Sequence, residues 1–388
     1  MASTAIRNLA VATVSALVAL AVGWAFLRPA DEEPATVELV DTGEAFRRVL
    51  EERAARTSAR YGGRLVREPI DEEFVRNVLG QKHMAYDPVT YFRLSANMNA
   101  SQKFSEHPDR GWVVRTNSLG MRDDEPLSEK PDLRVLVTGD SHTQGVCRGD
   151  ETFANRLEAM LGESHPDRVV EVLNAGVGAY NLYNYLGVLE KHAGLEPDVF
   201  VVAVYGGNDF EGALALYLYF TRGKLVGPPR RYSEARKEAM RVARGATAQA
   251  ANQLLLFKQR PALALHAAEA ARQVTDEVAR LCEERGIALI FVYIPSAIEV
   301  QPELYRGPFE QVGELLDLEL EDVAVTTRVA DAWLEHVEAL SLPALDLRPA
   351  FRAESEPLYW HRDWHMNVLA HERIAELLVP LVEEAAGL

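Results

Sequence analysis

The sequence predicts an α/β protein, a three-layer α/β/α sandwich around a central parallel sheet. Three observations carry this. Short, mostly apolar runs recur at 133–138, 169–173, 199–204 and 287–294, the pattern of strands buried on both faces. Amphipathic stretches at 152–161, 180–195 and 274–285 separate or precede them, and strands alternating with helices argue a sheet covered on both sides. The strands end in small and polar residues: Gly139-Asp140-Ser141, Asn174-Ala175-Gly176 and Gly206-Gly207-Asn208-Asp209. The carboxyl edge of a parallel sheet is where α/β proteins gather their chemistry.

The chain has 388 residues, 48% of them hydrophobic, enough for one large domain with additions. Its net charge of −17 is the reverse of a nucleic-acid footprint and fits an acidic, solvated surface. The two cysteines, Cys147 and Cys282, form no CxxC pair and cannot build a zinc set. The residues suggest neither a cofactor nor a metal.

At the N-terminus, Arg7 and Asn8 precede an uncharged run over 9–27, and Arg28, Pro29 and three acids follow it. That length is close to the roughly 20 residues a membrane-spanning helix needs. Residues 1–29 are therefore expected to be a transmembrane anchor, or a signal sequence if cleaved after Ala19-Leu20-Ala21. The single arginine before the run places the remainder outside the cytoplasm, periplasmic or at the cell surface, and secreted if cleavage occurs. A polar linker and a charged helix are expected over 30–60. Over 61–130, Pro69, Pro88, Pro108, Gly111, Asn117 and Gly120 punctuate short strand-like pieces such as Val89–Phe92 and Trp112–Arg115. This reads as a small β-rich lead-in packed on a main domain at 131–388. Within that domain the pattern breaks at about 210–273, where Ala- and Arg-rich helical segments read as an insertion over the strand ends. A short strand at 344–347 and a last helix at 367–384 complete it.

Ser141 sits at a predicted strand-to-helix turn. A serine there suits a nucleophile, a helix cap or a phosphate ligand. A nucleophile needs a base, and its tetrahedral intermediate needs donors aimed at the oxyanion. The N–H of a glycine such as Gly176 and the amide of Asn208 are suited to that; Asn also favours turns. Histidines crowd near the C-terminus, at His361, His365 and His371. Asp363 and His365 fit acid–base chemistry, with Asp363 holding the ring tautomer, better than a metal site. His361 is the local rival base. His142, Tyr180, Tyr205, Asp209, Trp360, His361 and Trp364 are the candidates to contact substrate, although aromatic residues at such spacings also suit a core.

These blocks, in this order, resemble the SGNH branch of the GDSL esterase/lipase superfamily: Gly139-Asp140-Ser141, the Gly176 block, Gly207-Asn208-Asp209, and Asp363-Trp364-His365. His142 stands where the family has an aromatic or aliphatic residue. The pattern Thr116-Asn117-Ser118-x-Gly120-Met121-Arg122 resembles the segment before the GDS block in large envelope-associated bacterial members. The resemblance covers about 86–384 without the insertion. It implies a flavodoxin-like α/β/α fold, the triad Ser141, His365 and Asp363, and an oxyanion hole from the Ser141 and Gly176 N–H groups and the Asn208 side chain. It also implies ester hydrolysis through an acyl-enzyme. With the anchor, the expected substrate is an acyl, above all acetyl, ester of an extracytoplasmic glycan. An acyltransferase acting on a polysaccharide, a lysophospholipase and a silent membrane-bound binding protein are the other readings.

Overall fold

The computed structural model describes residues 83–223, 230–243 and 246–388, preceded by 46, 48, 50, 51, 65–73 and 75. Two antiparallel hairpins come first, β1 (Met84–Asp87) with β2 (Tyr91–Leu94), and β3 (Asn99–Lys103) with β4 (Gly111–Arg115). Five parallel strands follow: β5 (Leu133–Thr138), β6 (Val170–Asn174), β7 (Val199–Tyr205), β8 (Ala288–Ile294) and β9 (Ala344–Asp346). Their order in the sheet is β6-β5-β7-β8-β9. The chain steps from β5 to one side and then crosses to the other, so the β5/β7 border is a switch point. Loops leaving two such strands diverge and open a crevice at their carboxyl ends. Ser141 follows β5 and Asn208 follows β7.

Every residue of β5 and β7 is buried, and side chains alternate between two apolar layers, as a pleated strand requires. Leu136, Phe200, Val202 and Phe291 face one layer. It holds α3 (Leu182–His192), α4 (Asp209–Arg222), α7 (Pro261–Arg285) and α10 (Val323–Ala339). Val135, Val137, Val201 and Val292 face the other. That side holds α2 (Phe153–Ser164), α9 (Pro302–Leu316) and α12 (Val368–Ala386). The remaining helices are α1 (Ser141–Gln144), α5 (Ser233–Val242), α6 (Ala246–Gln259), α8 (Ala297–Val300) and α11 (Arg348–Ala353).

The structure departs from the sequence reading in three places. First, α7 begins at Pro261 rather than 274, with proline in its first turn and Gly286 in the left-handed conformation closing it. With α4 it packs in the sheet's own helical layer, so the segment added to the layered core is the stretch with α5 and α6. Second, α9 and α10 occupy a region to which periodicity assigned no element.

Third, the transmembrane helix is corrected. Among the described residues, no helix is long and apolar enough to cross a membrane. The longest, α7, carries Glu269, Arg272, Asp276 and further charges, which lipid would penalise heavily. The run 9–27 itself lies outside the described residues. The membrane partner and the extracytoplasmic location rested on that run alone, and no helix among the described residues supports them.

The lead-in hairpins dock on the main domain through polar anchors. The Tyr180 hydroxyl donates to Phe92 O at 2.6 Å, and Asn184 Nδ2 to Thr90 O at 2.8 Å. The β3–β4 hairpin supplies Phe104 and Trp112 to a small apolar cluster that Trp360 completes.

Candidate active site

Ser141 opens α1 directly after β5. Asp140 caps this turn, its carboxylate accepting from His142 N at 2.8 Å. At the other end, the buried guanidinium of Arg122 donates to the carbonyls of Gln144, Gly145 and Cys147. Gln144 and Gly145 form the end of α1, whose carbonyls a helix leaves unpaired, and Cys147 lies just beyond; a cation there also interacts favourably with the helix dipole. Sequence reading noted Arg122 only as part of a motif; its function as the clamp of this turn depends on contacts 22 to 25 residues away.

His365 and Asp363 arrive on a hairpin-like loop. Tyr359 and Met366 form its bridge, Trp360 N donates to His365 O at 2.9 Å, and Trp364 N to Trp360 O at 2.9 Å. Trp364 has φ +60°, the left-handed region that only a few per cent of non-glycine residues occupy. Residues two apart on a strand already face one side. The left-handed middle residue tightens that relation, so the Asp363 carboxylate reaches His365 Nδ1 directly. On the far side of the ring, His365 Nε2 lies 2.7 Å from Ser141 Oγ. The loop is held from behind by Trp360, whose indole packs at 5.4 Å from the Phe104 ring and donates to Val146 O at 3.0 Å.

Burial works against a charged His365, but the Asp363 carboxylate outweighs it and raises the imidazole above the usual histidine range. A general base must be neutral to accept the serine proton. The rate should therefore rise with pH through a midpoint above about 6.5, the ordinary histidine value. A kcat/KM profile from pH 5 to 9 checks this, and a midpoint below the ordinary value would contradict the arrangement.

Among the donors assigned to the oxyanion, the structure corrects Gly176. Its N–H donates to Asn174 Oδ1 at 3.1 Å. The glycine serves close approach instead, since a Cβ there would lie 2.6 Å from Gln144 N in α1. The other N–H groups of this loop are also engaged: Val177 to Gly139 O, Gly178 to Gln144 Oε1 and Tyr180 to Val177 O. Ala179 is the exception, with no partner for its N–H among the described residues and a φ of +69°. A left-handed alanine at a site of this kind is strain that the surrounding structure must hold. Asn208 lies at the start of α4, 7% exposed, and its side chain makes no capping bond.

Several expected substrate contacts are core residues instead. Tyr180, Tyr205 and Trp364 are buried. Tyr180 anchors the lead-in, Tyr205 packs tilted against His142 with ring centroids 3.8 Å apart, and Trp364 packs edge-on against Tyr305. His142 is buried as well; its Nδ1 accepts from Met366 N at 3.3 Å, and burial and the nearby His365 hold it neutral. Asp209 takes hydrogen bonds from Tyr185 OH at 2.6 Å and Tyr205 N at 2.8 Å, and burial raises its carboxyl well above the usual range. All five are buried and engaged by packing or hydrogen bonds within the protein. Trp360 is half-buried behind the loop, and His361 is exposed on it, away from the hydrogen bonds that join Ser141 to His365. His371 is buried in α12 and accepts from Phe153 N at 3.2 Å. Among the described residues, no group of three or more His, Cys, Asp or Glu is placed to hold a metal ion.

A strand–turn–helix serine joined to a histidine and an aspartate at the switch point of a parallel sheet defines a serine hydrolase. The chain belongs to the GDSL-like lipase/acylhydrolase family, whose model matches residues 137–373. It is a GDSL/SGNH-type serine esterase. No curated protein matches the chain. Among solved structures it is similar to LAE5, an α/β hydrolase from the metagenome of Lake Arreo, Spain, at 16% identity, covering 66% of this chain and 95% of that one, TM-score 0.40. It is also similar to a lipase/acylhydrolase from Enterococcus faecalis, at 13% identity over 66% and 96%, TM-score 0.35. A third is a mutant of the acetyl-xylooligosaccharide esterase Axe2 from Geobacillus, at 12% identity over 66% and 96%, TM-score 0.38.

Proposed function

We propose that the protein hydrolyses short-chain acyl esters through an acyl-enzyme on Ser141. The observation that carries this reading is the continuous contact from Ser141 Oγ through His365 to Asp363. Ser141 Oγ attacks the ester carbonyl carbon while His365 Nε2 takes its proton. The N–H groups of Ser141 and Ala179 and Nδ2 of Asn208 receive the oxygen that becomes negative. His365 returns the proton to the departing alkoxide, and water then attacks the acyl-serine by the same route in reverse. Asp363 keeps the imidazole in the tautomer with Nε2 free to accept. Ser141 is only 4% exposed and His365 2%, and this tight enclosure supports a small acyl group, acetyl first. With Tyr180, Tyr205 and Trp364 in the core, those rings offer no stacking platform to a sugar, so the alcohol side is left open.

A fluorophosphonate probe and a series of p-nitrophenyl esters from acetyl to octanoyl test both halves. The probe should label Ser141, identified by peptide mass, and kcat/KM should fall as the acyl chain lengthens. Labelling at another residue would sink the nucleophile assignment. A preference for octanoyl would sink the short-acyl reading alone.

A further inference from the structure

Helix α6 is the part of the added helical segment that reaches the site. Its Gln249, Asn252 and Gln253 are spaced three and one apart, which places them on one helix face. Together they bond to the loop after β7 and to Glu211 in the first turn of α4. Gln249 Oε1 accepts from Asn208 Nδ2 at 2.7 Å. Asn252 Nδ2 donates to the Glu211 carboxylate. Gln253 Nε2 donates to Gly206 O at 2.7 Å, while its Oε1 accepts from Glu211 N at 3.0 Å. All three side chains are buried.

Asn208 depends on this face for its orientation. It holds the N-cap position of α4, where an asparagine usually turns its oxygen to the helix N–H groups. Here it makes no such bond, and its Oδ1 has no partner among the described residues. An amide that is not held can rotate and present an oxygen where a donor is needed. A carboxamide oxygen facing a developing oxyanion repels it, so the orientation decides between stabilisation and its opposite. Nδ2 carries two hydrogens. The bond to Gln249 uses one and leaves the other for the substrate oxygen.

We infer that Gln249 is a positioning residue that fixes the side-chain amide of Asn208 as an oxyanion donor. This rests on the reading of Asn208 given above, and it makes the added helix part of the catalytic apparatus. Gln249→Ala should lower kcat about tenfold, the order expected for one lost hydrogen bond, with KM nearly unchanged. Asn208→Ala should lower kcat about 10²–10³-fold, and the double variant should be no slower than Asn208→Ala alone, because the two act as one unit. Gln249→Glu keeps an acceptor oxygen and should recover part of the loss. Gln249→Met, of similar volume without that oxygen, carries the same test if the alanine variant does not fold. Gln253→Ala is the comparator: it loses a bond from the same helix face, so its Tm should fall, but any effect on kcat should multiply with that of Asn208→Ala. An unchanged kcat in Gln249→Ala and Gln249→Met, penalties that multiply with Asn208→Ala, or a raised kcat would overturn the inference; the last would make Gln249 a plug on the donor. If Asn208→Ala itself leaves kcat intact, the oxyanion reading fails and this inference with it.

Discussion

Ser141→Ala is expected to remove ester turnover, lowering kcat by about 10⁶-fold, and His365→Ala should do nearly the same. The physical basis is the 2.7 Å contact between Ser141 Oγ and His365 Nε2. An unassisted serine hydroxyl is a weak nucleophile at neutral pH, and an imidazole with no hydroxyl to deprotonate has no substrate-directed task. Since each residue acts only through the other, Ser141→Ala with His365→Ala should be little slower than either single change. The experiment compares burst and steady-state release of p-nitrophenol for the three variants, with circular dichroism showing each to be folded. His361→Ala belongs beside them. That histidine is exposed and outside the triad contacts, so its loss should leave the acyl-enzyme burst intact. A burst lost in His361→Ala and kept in His365→Ala would reverse the assignment.

Asp363→Asn should cost about 10⁴-fold in kcat with little change in KM. The carboxylate accepts from His365 Nδ1, which leaves Nε2 as the ring's acceptor towards Ser141. An asparagine amide can donate to Nδ1 instead, which moves the proton to the wrong nitrogen. The same substitution removes the charge that raises the imidazole. The residual activity should therefore titrate with a lower midpoint than the parent enzyme. A parallel loss in substrate affinity, or an unmoved midpoint, would show that Asp363 acts on the loop's conformation and not on the ring. Trp364 makes that distinction necessary, because its left-handed backbone is held between the two residues.

Much of the fold could be read from residue type and order. The buried runs that became β5 and β7 contain almost nothing but branched and aromatic side chains, so no solvent-facing alternative suits them. Element ends were less legible. α7 begins 13 residues before the stretch that periodicity marked, because its first half, rich in alanine and buried on several faces, lacks a clear polar stripe. α9 and α10 went unread for the opposite reason: Pro308 and Gly313 interrupt the first, and many charges surround the apolar stripe of the second.

By itself, the sequence determined the strands, the residue types at their carboxyl ends, and the pairing of a serine with a downstream Asp-x-His. Those follow from local chemistry: burial on both faces selects apolar runs, and a chemical site needs particular side chains. Only the tertiary structure decided which groups are left free to act. The Gly176 N–H is taken by Asn174, while that of Ala179 has no partner among the described residues. Tyr180, Tyr205 and Trp364, expected around a substrate, proved to be buried, and Asn208 proved to be hydrogen-bonded to Gln249, 41 residues on. Whether a donor is spent or available, and whether a ring faces solvent or core, depends on neighbours that only the packed chain supplies.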